Sequence, residues 1–203
     1  MTDLQLVSGF QNPVNDSQQW YRVILNAMAR PGNICLASDP VVFPCTPEFC
    51  NTVTASIMLT LLDNDTATWL QQPEPSLVQW LKFHCGCPVT EQPAEAAFAF
   101  IADGTRLPDL NEFAIGTSEY PDKSTTLIIQ VASVTQGEIL TLSGPGIAST
   151  ATIHVSGLHA SFHDAQSVNT TLFPQGFDTI LAAPDGVVCI PRTTTIRRQE
   201  PCM

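Results

Sequence analysis

Between residues 16 and 28 the apolar side chains Trp20, Ile24, Ala27 and Met28 recur at i, i+4, i+7 and i+8, one face of an α-helix that Asp16 or Ser17 is placed to cap. Arg30-Pro31-Gly32 ends that helix. A second helix is expected from Thr46-Pro47-Glu48, where a hydroxyl cap, a proline and an acidic first-turn residue precede Phe49, Val53, Ile57 and Leu61. It should run to about Leu62. Residues 75–84 predict a third, with Leu77, Trp80, Leu81 and His84 on one face before Gly86 and Pro88 break the pattern. A shorter helical piece is expected at 109–114.

Strand patterns fill much of the rest. Residues 97–102 are rich in Phe and Ile, and 125–134 form an aliphatic, β-branched run that reads as one strand buried on both faces. Residues 138–142 and 150–155 alternate, with Gly137 at the turn between neighbours, so a meander of two or three strands is expected. Residues 179–182 and 187–190 flank Pro184-Asp185-Gly186, the clearest hairpin signal in the chain. Helices dominate the first third and strands the remainder. That segregation favours an α/β fold with a mixed sheet flanked by helices over a strict βαβ repeat.

Composition narrows the function class. The chain has 203 residues, 44% hydrophobic and 13% charged, with mean hydropathy +0.11, a profile that folds rather than staying disordered. Its 16 prolines are scattered, so residues 1–203 read as a single domain, ending in a polar, mobile tail after about residue 192. A formal net charge of -11 repels phosphodiester backbones, which argues against nucleic-acid binding. The start lacks a basic, apolar leader, and no apolar run is long enough to cross a membrane; a cytoplasmic protein is expected. The 7 cysteines form an odd set without a CxxC pair, which reads as reduced, mostly buried thiols.

Candidate chemistry is sparse. Ser143-Gly144-Pro145-Gly146 follows a strand but lacks the lysine and helix of a phosphate loop, and a tight turn is the better reading. His84-Cys85-Gly86-Cys87 and the trio His154, His159 and His163 offer soft ligands. The spacing is too tight for a zinc knuckle and the clusters lie far apart, so no metal site is expected, and the histidines read as a surface loop. There is no GxSxG elbow, and Lys82 and Lys123 read as solvated rather than as Schiff-base formers. Asp63 and Asp65 read as turn and cap groups. Arg22, Arg30 and Arg192 stand beside elements whose ends could converge. They are the candidate ligand-binding residues, able to clamp a phosphate or phosphonate, or equally to pair with carboxylates.

Gly9-Phe10, Gln18-x-x-Tyr21-Arg22 and Ala27-Met28-x-x-Pro31-Gly32 resemble the opening of the PhnH family, the H subunits of the bacterial carbon–phosphorus lyase core complex. Further pieces agree in order: residues 59–66 (LTLLDNDT), Trp69-Leu70, Phe83-His84, Gly116-Thr117, Leu127-Ile128-x-Gln130-Val131-Ala132-Ser133, Gly144-x-Gly146-Ile147, Phe173-Pro174-x-Gly176-x-Asp178 and Ile190-Pro191-Arg192-Thr193-Thr194. Only Cys85-Gly86-Cys87 and the Arg197-Arg198 tail look particular to this chain.

The resemblance implies a three-layer α/β subunit similar to the large domain of pyridoxal-phosphate-dependent transferases, without that cofactor. It implies a homodimer when alone, and work with G, I and J subunits in alkylphosphonate use. With G and I the family supports joining a phosphonate to the ribose of ATP, displacing adenine and giving a ribose 1-phosphonate 5-triphosphate. Radical iron–sulfur cleavage belongs to a separate subunit, and no CxxxCxxC-like site occurs here. Two roles stay open: a non-catalytic assembly subunit, or a direct contributor to the nucleotide or phosphonate site. Convergence of Arg22, Arg30 and Arg192 in an open cleft would favour the second.

Overall fold

The computed structural model describes residues 9–36, 46–47 and 49–198. Helix α1 (Pro13–Ala29) starts earlier than its apolar pattern predicts. Asn12, not Asp16 or Ser17, is the cap: its side chain accepts from Asn15 N–H at 3.3 Å, while Asp16 accepts from Asn12 N–H at 3.0 Å, with Pro13 in the first turn. Helix α2 (Thr52–Leu61) starts later than expected. Phe49 sits at φ 66, a left-handed conformation that interrupts any helix begun at Thr46, and Asn51 caps instead by accepting from Thr54 N–H at 2.8 Å. Helix α3 (Pro75–His84) has its expected bounds.

The main sheet has the order β2-β1-β3-β4-β7-β8, comprising β1 (Thr68–Leu70), β2 (Val89–Thr90), β3 (Phe98–Ile101), β4 (Thr126–Gln130), β7 (Asp178–Ala183) and β8 (Gly186–Ile190). All neighbours are parallel except β7 and β8, which form the expected hairpin. A second, antiparallel sheet has the order β6-β5-β9, comprising β5 (Ser133–Ser143), β6 (Ala151–Ser156) and β9 (Thr195–Arg198). The run 125–134 is therefore two strands. After Gln130 the chain leaves the main sheet, and Ser133 enters the second. Gly137 is not a turn between strands but part of a bulge within β5, where the register shifts between Thr135 and Glu138 at φ 123.

The period-two alternation of the parallel strands divides the interior. One face carries Phe100, Ile128, Ile180 and Cys189 against Trp20, Ile24, Ile57, Met58 and Trp80 of α1–α3. The other carries Ile101, Leu127, Ile129, Leu181 and Val188 against Leu140, Leu142, Ile153 and Phe162. The result is a mixed α/β domain with helices on one face and, on the other, the small sheet with helix α4 (Ser161–Thr171). That helix falls where a surface histidine loop was expected. Its buried positions are Phe162, Gln166 and Asn169, two of them amides, so an apolar pattern could not reveal it.

The polar tail needs a second correction. Residues 195–198 pair with β5 in the register Leu140↔Arg198 to Ser143↔Thr195, Ile196 packs on the second core, and Arg198 Nε lies 3.0 Å from Glu138. Residues 199–203 lie outside the described residues.

Candidate functional site

In open α/β sheets ligands lodge outside the carboxyl ends of the strands, where successive connections diverge. Here that point lies between β1 and β3, since the chain steps from β1 outward to β2 and returns past β1 to β3. Gln71, just beyond β1, fills the crevice: its Oε1 accepts from Asp103 N–H at 2.9 Å and its Nε2 donates to the Arg106 carbonyl. Asp103 accepts from the Thr105 hydroxyl at 2.6 Å and from Thr105 N–H at 3.0 Å, and the Thr105 hydrogen bond holds its carboxyl below the ordinary range. Arg106 Nε stands 3.6 Å from the same carboxylate.

One strand further on, Gln130 ends β4 and gathers three segments. Its Oε1 accepts from Asn51 N–H at 2.8 Å, and its Nε2 donates to the Phe49 carbonyl at 3.0 Å and to the Ala102 carbonyl at 3.2 Å. The left-handed turn at Phe49 is thus held from the sheet. Beside Gln130 lies a cavity of about 200 Å³ lined by Asp103, Gly104, Thr105, Ala132 and Gly157. Gly157 has φ 83, and a Cβ there would lie 2.8 Å from the Ala132 nitrogen, so backbone closes this wall. The cleft offers amides, a hydroxyl and one carboxylate. These groups can bind and orient a polar ligand.

Of the three candidate arginines, Arg192 lies at the opposite, amino edge of the sheet. Its guanidinium takes Asp178 at 2.6 Å through Nη2, the Ser124 hydroxyl at 2.7 Å, and the Pro121 and Pro174 carbonyls at 2.9 and 3.1 Å, while Nε also faces Asp178. These bonds use every N–H of the group. Arg22 and Arg30 are exposed on α1 and at its end, with no ion pair to another described residue. The structure therefore does not gather the three in one cleft.

The remaining candidates fall into structural places. The 143–146 loop is a turn wedged against α1, since a Cβ at Gly146 would lie 2.6 Å from the Ala29 carbonyl. Asp63 accepts from Asp65 N–H at 3.0 Å and Asp63 N–H donates to Thr66 at 2.8 Å, as a turn requires. Lys82 is exposed, and Lys123 lies over the Tyr120 ring at 5.0 Å. Among the described residues no three His, Cys, Asp or Glu side chains are grouped to hold a metal ion. Reading the sequence for charge missed Gln71 and Asp103. Gln130 was legible only as one residue of a family-like piece inside a run read as a single strand, 125–134.

The chain is thus a mixed α/β domain with a polar cleft at the carboxyl edge of its parallel strands. The chain belongs to the family described as bacterial phosphonate metabolism protein (PhnH), whose profile it matches over residues 8–197. It is 37% identical, over 96% of its own length and 98% of the relative's, to the "Alpha-D-ribose 1-methylphosphonate 5-triphosphate synthase subunit PhnH" of Rhizobium meliloti (strain 1021). It is 28% identical, over 88% of its length and 85% of the relative's, to the "Putative C-P lyase subunit protein HtxG" of Stutzerimonas stutzeri.

Proposed function

We propose that this protein is the H-type subunit of an assembly that joins a phosphonate to the ribose of ATP, and that it serves mainly as an assembly subunit. The observation that carries this reading is the match over nearly the whole chain to a subunit named for synthesis of α-D-ribose 1-methylphosphonate 5-triphosphate. The assembly role is supported by Arg192, whose donors are spent on its own chain. Its partners in this reading are the G, I and J subunits, and alone it forms a homodimer. The outer face of α1 supports such contacts: Val14 is 79% exposed, and Tyr21 and Leu25 are each 55% exposed. The fold is read as similar to the large domain of pyridoxal-dependent transferases, working in the cytoplasm without that cofactor. Among the described residues no helix is long and apolar enough to cross a membrane.

Co-expression with tagged G, I and J subunits tests this. The protein should co-purify in fixed ratio, and removing its gene should abolish growth on methylphosphonate through loss of the complex. Full synthase activity from the other subunits alone would refute it. Direct contribution to the phosphonate site is the second reading, favoured by Arg22 and Arg30, which have no ion pair among the described residues. Replacing both with alanine would then abolish growth while leaving assembly intact.

A further inference from the structure

Helix α1 buries one face and carries a second apolar stripe on the outside. Trp20, Val23, Ile24 and Ala27 face the interior. Val14, Gln18, Tyr21, Leu25 and Met28 recur at steps of four and three residues, the spacing that keeps one narrow seam along a helix. Val14 is 79% exposed and Tyr21 and Leu25 each 55%, Gln18 is exposed, and Met28 is half-buried against the core. From residue 14 to 28, at about 1.5 Å per residue, the seam is about 21 Å long, room for roughly four turns of a second helix. The fold uses only the inner face of α1, so the outer stripe is free to take a partner.

The border of the seam decides which partner fits. One flank holds Asn15, Arg22 and Asn26, all exposed, and the other holds Ser17 before the buried Ile24. Arg22 has no ion pair to a described residue, although the chain carries 19 Asp and Glu against 8 Lys and Arg. The one carboxylate of α1 is already used: Asp16 is half-buried, points away from the seam by helical spacing, and accepts from Asn12 N–H at 3.0 Å. A second copy of this chain, pairing stripe to stripe, therefore offers Arg22 no carboxylate. In an antiparallel pair, Arg22 stands one residue from the midpoint of the stripe and would meet the same guanidinium of the other copy.

We propose that the stripe Val14, Gln18, Tyr21, Leu25 and Met28 is the docking seam for one amphipathic α-helix of a sister subunit, whose flank carries a carboxylate for Arg22. The proposal rests on the assembly role proposed above and gives that role a contact. Apolar side chains of the incoming helix fill the holes between Val14, Tyr21 and Leu25, and the Tyr21 ring supplies the largest single contact. Gln18, inside the seam, becomes an enclosed amide that must find a hydrogen-bonding partner, which fixes the register. Arg22 at the border gains an anion that its own chain does not supply, and the acid favours this partner over a second copy.

The full chain is co-expressed with the tagged G, I and J subunits, and the isolated chain serves as the folding control. Leu25→Glu sets a carboxylate in the seam and should weaken binding to the complex at least ~100-fold, while the isolated variant keeps the unsubstituted melting temperature. Val168→Glu, at a residue of α4 that is 54% exposed, should assemble normally. In Arg22→Lys, which leaves the apolar stripe intact, carbodiimide should couple the amine at position 22 to an Asp or Glu in a helix of a sister subunit, read by mass spectrometry. Normal assembly of Leu25→Glu, equal loss in Val168→Glu, or no such amide in the intact complex would overturn the seam and leave the assembly role standing. Loss of self-association alone in Leu25→Glu would give the stripe to a second copy and overturn the proposal. Failure of the unsubstituted chain to co-purify would instead remove the assembly role, and the seam with it.

Discussion

The two edges of the parallel sheet are held by different chemistry. At the amino edge the hub is a guanidinium: Arg192 collects Asp178, Ser124 and two loop carbonyls, and its side chain is only 15% exposed. At the carboxyl edge the hub is an amide: Gln130 collects Asn51, Phe49 and Ala102. A shielded cation must satisfy its charge and every donor, so loop carbonyls, a hydroxyl and a carboxylate gather around it. A neutral amide needs fewer partners, and a cavity of about 200 Å³ remains beside it. The charged hub and the described cavity thus lie at opposite edges of the sheet.

The largest effect should come from breaking the amino-edge hub. Arg192→Ala leaves the shielded Asp178 carboxylate without its cation and should cost about 3 kcal/mol in urea unfolding, and Arg192→Lys should recover little because an ammonium cannot fork across the same acceptors. A loss below ~1 kcal/mol would remove Arg192 as the organiser of that edge.

Next comes the amide. Gln130→Leu orphans Asn51 N–H and the Phe49 carbonyl and should cost roughly 2 kcal/mol, with faster amide exchange at the start of α2 than elsewhere in the helix. Uniform exchange along α2 would show that this edge does not depend on Gln130.

Asp185 sharpens the contrast, because this carboxylate beyond the far end of β7 is held without a cation. Burial opposes its ionisation, but hydrogen bonds from the Ser133 and Thr135 hydroxyls and Val134 N–H outweigh it and hold the carboxyl below the usual range. A depressed carboxyl stabilises fully above its unfolded value of about 3.9, and that contribution disappears as pH falls through the lower folded value. Asp185→Asn should therefore cost ~1 kcal/mol near neutrality, and its deficit should shrink on acidification below about pH 4. A deficit independent of pH would assign the loss to shape instead of charge.

The smallest effect is expected on α1. Arg22→Ala combined with Arg30→Ala should change stability by no more than about 0.5 kcal/mol, since both side chains are exposed without an ion pair among the described residues. A larger loss in the isolated protein would show that these arginines serve the fold.

Several features were legible along the chain because each is decided by neighbours in sequence. Helix α3 declares itself by its proline start and apolar spacing, and the β7–β8 hairpin by Pro184-Asp185-Gly186. The family was legible too, and two of the pieces that mark it, around Asp178 and Arg192, meet in space at the amino-edge hub.

Tertiary structure decided the rest, wherever partners distant in sequence supply the energy. Asn51 begins α2 because Gln130, 79 positions away, accepts its N–H and holds the left-handed turn at Phe49, overriding the local signal at Thr46-Pro47-Glu48. Helix α4 buries Gln166 and Asn169, whose amides bond the Thr194 and Phe177 carbonyls, so its inner face looks polar until those partners are in place. Residues 195–198 read as tail for the same reason: a polar edge strand takes its order from the β5 backbone and from Glu138, and neither leaves a mark in its own sequence.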